Sequence, residues 1–248
     1  MARKKTKPAS EVEIPQFEVN DIRFKKHVEG KLLPKQRCFL EDIGQKSMRM
    51  MFVNGPAGTA KTFLSVMHAL QMLSENPEHE LLYVRTNAES GESRMGTLPG
   101  DEGEKLSPFL IPLHDKLEEL LEYGSLKGLT TGPNPRVHAT AVNYLRGSSW
   151  RNKVVIADEA QNFSFGELVT LITRVGHGTK LIICGDFMQS DIGGKSGFQR
   201  MFRVFDKEEC RRKGIGTFQF GKEDIVRDKF LQYVIGEIEK ELQPNCNQ

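Results

Sequence analysis

Residues 55–62 read GPAGTAKT, a glycine-rich run that closes on a lysine and a hydroxyl. A phosphate-binding loop has the form G-x-x-x-x-G-K-[ST]. Its backbone N–H groups wrap around phosphate oxygens, its lysine reaches the β and γ phosphates, and its hydroxyl occupies a magnesium position. Here Lys61 and Thr62 fit, but Ala60 stands where the pattern has its second glycine. If the backbone is left-handed at that point, alanine costs about 1–2 kcal/mol, enough to slow turnover without abolishing binding. Two further groups suit the same chemistry. Asp158 and Glu159 follow the apolar run KVVIA, and Asp186 and Gln189 follow KLIIC. Transfer of a phosphoryl group to water needs one carboxylate to hold the metal, largely through water, and a second to polarise the attacking water. Asp158 takes the first part and Glu159 the second, with Gln189 beside the γ-phosphate. Each feature alone has an ordinary reading, as a tight turn or a solvated strand end. A lysine, a hydroxyl and two acids at one edge of one sheet rarely coincide by chance.

Placing these groups at one edge requires alternating strands and helices. KQRCFLEDI (35–43) reads as a short helix and MMFVNG (50–55) as an apolar strand. KTFLSVMHALQML (61–73) reads as a helix with Phe63, Val66, Met67, Leu70 and Leu73 on its core face. LLYVR (81–85), KVVIAD and KLIICGD are buried strands, the last two separated by a helix that opens on a capping box, Ser164 with Glu167. Residues 86–106 read as a long loop. SPFLIPLHDKLEELLEY (107–123) resumes as a helix with Pro108 in its first turn and an irregularity at Pro112. GTFQF (216–220) is a last strand, before an amphipathic helix carrying Leu231, Val234, Ile235, Ile238 and Leu242. The pattern specifies an α/β fold: a mostly parallel sheet covered by helices on both faces, with ligands at the carboxyl ends of the strands.

Composition narrows the class. Its 248 residues suffice for one large domain, expected over 21–248 behind a flexible tail at 1–20 with a basic cluster at Arg3, Lys4, Lys5 and Lys7. Lys and Arg number 35 against 33 Asp and Glu, so net charge neither demands nor excludes a polyanionic partner. Cys38, Cys184, Cys210 and Cys246 are widely spaced with no C-x-x-C pair, which argues against a zinc site and a disulfide framework. No apolar run approaches a bilayer span, and no secretion signal opens the chain; a soluble cytoplasmic protein without membrane partners is expected.

The chain resembles the PhoH family of P-loop ATPases, whose RecA-like core is similar to the first motor domain of superfamily 1 helicases. The resemblance runs through GPAGTAKT, VRTNAESGESRMGTLPGDEGEKLSPFLIPLHDKL, YLRGSSW, VVIADEAQN, LITRVG, GDFMQSD, KSGF and EDIVRDKF. The stretch from Gly91 through Leu117 is the most diagnostic. One departure is Arg85-Thr86, where the family usually has Arg-Pro. The resemblance implies ATP and Mg²⁺ as cofactors and a nucleotide cradle of Gly55, Pro56, Ala57, Gly58, Thr59, Ala60, Lys61, Thr62 and Phe63. It also implies that Gln36 reads the adenine edge and that Gln161 and Gln189 contact the γ-phosphate or its water. Lys195, Arg174 and Arg227 fall on family motif positions.

An arginine commonly meets transition-state charge on a transferring phosphoryl group. With no second motor domain before the chain ends, that arginine is expected from its own fold or from a neighbouring subunit, and head-to-tail association that closes on itself gives a ring. Arg174 and Arg227 are the candidates, in a homo-oligomer that the resemblance suggests is a hexameric ring with the ATP site at subunit interfaces. The expected activity is Mg²⁺-dependent ATP hydrolysis coupled to RNA or single-stranded DNA, with ECRRKG (209–214) or the 86–106 loop facing a pore. Alternatives are a slow nucleotide-gated switch without a nucleic-acid track and, less well matched by DEAQ and GDFMQ, a small-molecule kinase.

Overall fold

The computed structural model describes residues 22–26, 32–86, 102–145 and 149–226, with positions 230, 233, 234, 236 and 237. The tail at 1–20, most of the 86–106 loop, Arg227 and most apolar positions of the expected final helix lie outside the described residues.

In chain order the elements are α1 (Pro34–Gly44), β1 (Met50–Asn54), α2 (Lys61–Glu75), β2 (Glu80–Arg85), α3 (Glu102–Leu120), α4 (Tyr123–Thr131), β3 (Val137–Ala141), β4 (Lys153–Ala157), α5 (Phe165–Ile172), β5 (Lys180–Gly185), α6 (Phe198–Phe205), α7 (Glu208–Arg212) and β6 (Ile215–Gln219). The strands form one sheet in the order β3-β2-β4-β5-β1-β6, parallel at every pairing. The central strands are buried almost throughout, and their side chains alternate with a period of two between two cores, as a sheet covered on both faces requires. Met51, Val53, Val154, Ile156, Ile182 and Cys184 enter the core that includes α2 and α3. Met50, Phe52, Val155, Ala157, Leu181 and Ile183 enter the core under α5 and α6.

Several local expectations change. The third helix begins at Glu102 and ends at Leu120, so it runs through Pro108 and Pro112, and Pro108 is not in its first turn. Tyr123 opens a separate helix, α4. Phe63 is half-buried, whereas Leu64 is fully buried, because α2 is covered by α1 and α3 as well as by the sheet and buries more than one stripe. ECRRKG is not a loop: it contains most of α7, where Arg211 pairs with Asp42 at 2.7 Å and Arg212 with Glu208 at 3.9 Å. The capping box of α5 is present, with Ser164 N donating to Glu167 Oε2 at 2.8 Å and Glu167 N donating to Ser164 Oγ at 3.3 Å.

Register aligns the strand ends. Asn54 lies opposite Gly185, Ala157 opposite Ile183 and Val84 opposite Ala157. The residues that follow these strands, among them Gly55, Asp158 and Asp186, therefore emerge together at the carboxyl edge of the sheet.

Candidate functional site

The loop between β1 and α2 is shaped by three backbone requirements. Gly55 packs against β6: a Cβ there would lie 2.6 Å from Phe220 Cβ, so no side chain fits without displacement. Gly58 has φ 87° and Ala60 has φ 66° with ψ 21°, both left-handed. The second confirms the conformation that makes glycine the usual residue at this position and leaves Ala60 strained. Fully buried Thr59 closes the turn by donating from Oγ1 to Pro56 O at 2.9 Å. α2 then starts at Lys61 with no side-chain cap, leaving its first N–H groups aimed at the cleft.

A cleft of about 650 Å³ opens over this loop, and Gln36, Ala57, Gly58, Ala60, Lys61, Thr62, Phe63, Asp158, Glu159, Gln161, Asp186 and Gln189 all line it. Thr62 Oγ1 donates to Asp158 Oδ1 at 2.7 Å, so the hydroxyl of one motif and the carboxylate of the other meet directly. Lys61 Nζ folds back onto the loop, 2.5 Å from Gly55 O and 2.9 Å from Pro56 O. Burial pushes its pKa down, opposed by Cys184, Asp186, Asp158 and Glu159. Glu159 has φ 54°, a second left-handed non-glycine in the cleft. Its carboxylate accepts from Gln161 Nε2 at 2.6 Å and lies 3.5 Å from Arg85. Gln161 is 3% exposed and accepts at Oε1 from Asp186 N at 3.0 Å, so one carboxamide links the acidic pair to the loop after β5. Gln189 is exposed at the cleft rim.

Gln36 is 2% exposed, and its carboxamide already has two backbone partners. It accepts from Leu33 N at 3.0 Å and donates to Thr59 O at 3.4 Å, which ties the start of α1 to the phosphate loop. The structure does not bring Arg174 to the cleft. Its carbonyl accepts from Trp150 N at 3.0 Å, ahead of β4, at the opposite edge of the sheet. Lys195 ends a 3-10 turn and is exposed, away from the cleft lining.

Sequence reasoning missed two residues that act on the acidic pair. Tyr83 is fully buried in the middle of β2 and donates to Asp158 Oδ2 at 2.5 Å. Burial first, and then the Asp158 charge, hold its phenol protonated far above the ordinary range. Nothing in the apolar run LLYVR marks Tyr83 as more than core. Arg85 ends the same strand, a position at which charged residues are informative in parallel sheets.

The oxygen donors fit magnesium: a hydroxyl and a carboxylate side by side leave most positions to water and phosphate oxygens, as that ion prefers. Among the described residues no group of three or more His, Cys, Asp or Glu could hold a metal ion. Among the same residues no helix is long and apolar enough to cross a membrane.

The family model described as PhoH-like protein matches residues 30–239. The chain is 34% identical over 208 residues to a PhoH-like protein of Synechocystis sp., covering 83% of this chain and 61% of that one. It is 34% identical over 197 residues to a PhoH-like protein of Bacillus subtilis, covering 77% and 59%. It is 31% identical over 189 residues to the protein PhoH of Escherichia coli, covering 75% and 52%. The chain thus spans between about half and three fifths of the length of these relatives. Among solved structures, the Pif1 helicase of Candida albicans aligns with a TM-score of 0.45 at 16% identity, over 85% of this chain and 44% of that one. With a parallel sheet, a phosphate loop between β1 and α2 and a family match over most of its length, this α/β chain has the RecA-like P-loop fold and belongs to the PhoH family.

Proposed function

We propose that the chain hydrolyses ATP with magnesium, and that the observation carrying this reading is the 2.7 Å contact between Thr62 and Asp158 beneath a cleft that also holds Lys61 and Glu159. The N–H groups of residues 55–62 and the start of α2 receive the phosphates. Lys61 exchanges its two loop carbonyls for phosphate oxygens, a swap favoured because burial already makes its charge costly. Thr62 and Asp158 would hold Mg²⁺, which supplies neutralisation of charge on the β and γ phosphates. Glu159 takes a proton from the attacking water. Gln161 and Arg85 fix its carboxylate from two sides, so the base is oriented before substrate arrives. Gln189 reports the γ-phosphate from the rim, and Gln36, which braces the phosphate loop at Thr59, lies on the side where the adenine is read.

Coupling to RNA or single-stranded DNA, and a homo-oligomeric ring, are part of the same proposal. Arg174, remote from its own cleft, serves hydrolysis only from another subunit, and Arg227 is the second candidate. The mass of the nucleotide-bound protein in solution tests this: a fully active monomer of 28.1 kDa removes the ring.

The deciding experiment measures phosphate release by wild type, Lys61→Ala and Glu159→Gln, with and without single-stranded nucleic acid. Each variant should lose about 100-fold or more in rate, while Glu159→Gln retains ATP binding. Wild-type turnover in Glu159→Gln would remove the base from the mechanism.

A further inference from the structure

A second cavity, of about 500 Å³, lies on the other side of Gln161, between the loop after β5 and the outer face of α6. Its outer wall carries Arg200, Arg203 and Val204, whose spacing of three and four residues from Arg200 puts them on one face of α6, and Lys207 two residues beyond the helix end. The opposite face of α6, with Met201 and Phe202, is buried. Among the described residues no carboxylate lines the cavity. Among the described residues Arg203 and Lys207 form no salt bridge. The Arg200 guanidinium sits 4.5 Å from the centroid of the Phe165 ring, which steadies it without neutralising it. Three cations around one hollow repel each other, and an anionic phosphate relieves that repulsion. Half-buried Phe187 and buried Phe198 add an apolar wall. Volume and lining together suit a phosphate carrying an organic group, since bare phosphate would leave the apolar wall unused.

The two cavities share Gln161. Its side chain holds Glu159 and Asp186 N, and its carbonyl accepts from Ser190 Oγ at 3.0 Å, inside the loop that forms the second cavity. A ligand that moves residues 190–196 therefore moves the group that orients the base.

We propose that this second cavity binds a nucleotide unit through its phosphate, as a free nucleotide or as one residue of a single strand, and that Gln161 couples its occupancy to the ATP cleft. The coupling rests on the hydrolase reading above; the binding does not. The test fills the cleft with a non-hydrolysable ATP analogue and magnesium. It then measures binding of uridine monophosphate, a short oligouridylate and inorganic phosphate to wild type, to Arg200→Ala/Arg203→Ala/Lys207→Ala, and to a control, Lys127→Ala/Lys213→Ala. All five positions are exposed, so the fold is preserved. Binding of either uridine probe should fall at least about tenfold in the triple variant and stay within about twofold in the control. For a strand, the dependence of log affinity on log salt should flatten by about 0.7, the share of the one phosphate held in the cavity. That flattening identifies a strand, and binding of the monophosphate alone identifies a free nucleotide. Affinity should also differ between an empty and a filled cleft, with the reciprocal effect on the analogue. Failure of both uridine probes to bind, unchanged binding in the triple variant, or inorganic phosphate binding as well as the monophosphate overturns the site. Equal affinity with the cleft empty and filled overturns the coupling. Absence of wild-type phosphate release defeats the hydrolase reading and leaves the binding result to stand by itself.

Discussion

Replacing Ala60 with glycine isolates the strain that the phosphate loop carries. At φ 66° and ψ 21° the alanine Cβ crowds its own carbonyl, a cost of about 1–2 kcal/mol that glycine removes. Two effects oppose the gain. Glycine makes the unfolded chain more flexible, by about 0.4–1 kcal/mol. It also loses a methyl group that packs against the core beside α2, worth at most about 0.8 kcal/mol and less here because Ala60 is only partly buried. The three terms sum to between about −0.8 and about +1.6 kcal/mol, with the middle of the range at about +0.4 in favour of Ala60→Gly, read from urea unfolding midpoints at constant slope. Ala60→Val supplies the opposite sign, since a β-branched residue is a steric outlier in this conformation. Phosphate release by Ala60→Gly should match or exceed wild type, because the loop keeps its path. If Ala60→Gly unfolds more than 1 kcal/mol more easily than wild type, the left-handed strain is not what sets this position. If it no longer binds nucleotide, the methyl group has a direct role that the geometry does not reveal.

Tyr83→Phe keeps the ring and removes only the hydrogen bond to Asp158 Oδ2. A bond to a carboxylate contributes about 1.5–3 kcal/mol, so unfolding should ease by that amount and hydrolysis should slow as Asp158 loses one of its two restraints; a stability change below about 0.5 kcal/mol would contradict it. His68 is buried beside Lys180, and burial first, with the lysine charge second, lowers its pKa from 6.5 to about 3. The native state binds fewer protons than the unfolded chain across that interval, so its stability is intact above pH 6.5 and declines as pH falls towards 3. From those two values the loss at pH 5 is about 2 kcal/mol. Urea titrations of wild type and His68→Gln at pH 7 and 5 should show the difference shrinking in the variant.

Much of this fold was legible because its central strands are buried on both faces and therefore read as apolar runs bounded by chemistry. β3 was not, since VHATA alternates buried and half-exposed positions at a sheet edge and carries no such run. The α3–α4 division was hidden because the apolar spacing of LEELLEY continues across a turn that local pattern cannot detect. α6 went unread although Phe198, Met201, Phe202 and Phe205 have helical spacing, because GDFMQSD and KSGF drew attention as motifs and not as the flanks of an element. The site shows the same division. That Lys61, Thr62, Asp158 and Glu159 would line one cleft was legible because spacing after strands is a one-dimensional property. Tyr83 and Arg85 act across neighbouring strands, and the β2–β4 pairing that brings them to Asp158 and Glu159 does not exist in one dimension.

Strain is concentrated where the chemistry is expected. Among the described residues three non-glycines have positive φ, and two of them, Ala60 and Glu159, line the cleft. Glu159 lies two residues after β4 and Ala60 immediately before α2, at the two places where the backbone must turn sharply to present a side chain or an N–H group to the same volume. Left-handed geometry at Glu159 is held by contacts to that side chain from Gln161 and Arg85, each anchored in a different segment. Strain persists only where surroundings over-determine a residue, so the surrounding contacts and the strained backbone are one device. Removing the Gln161 carboxamide should therefore do more than delete a hydrogen bond: it frees the Glu159 backbone and carboxylate to relax together.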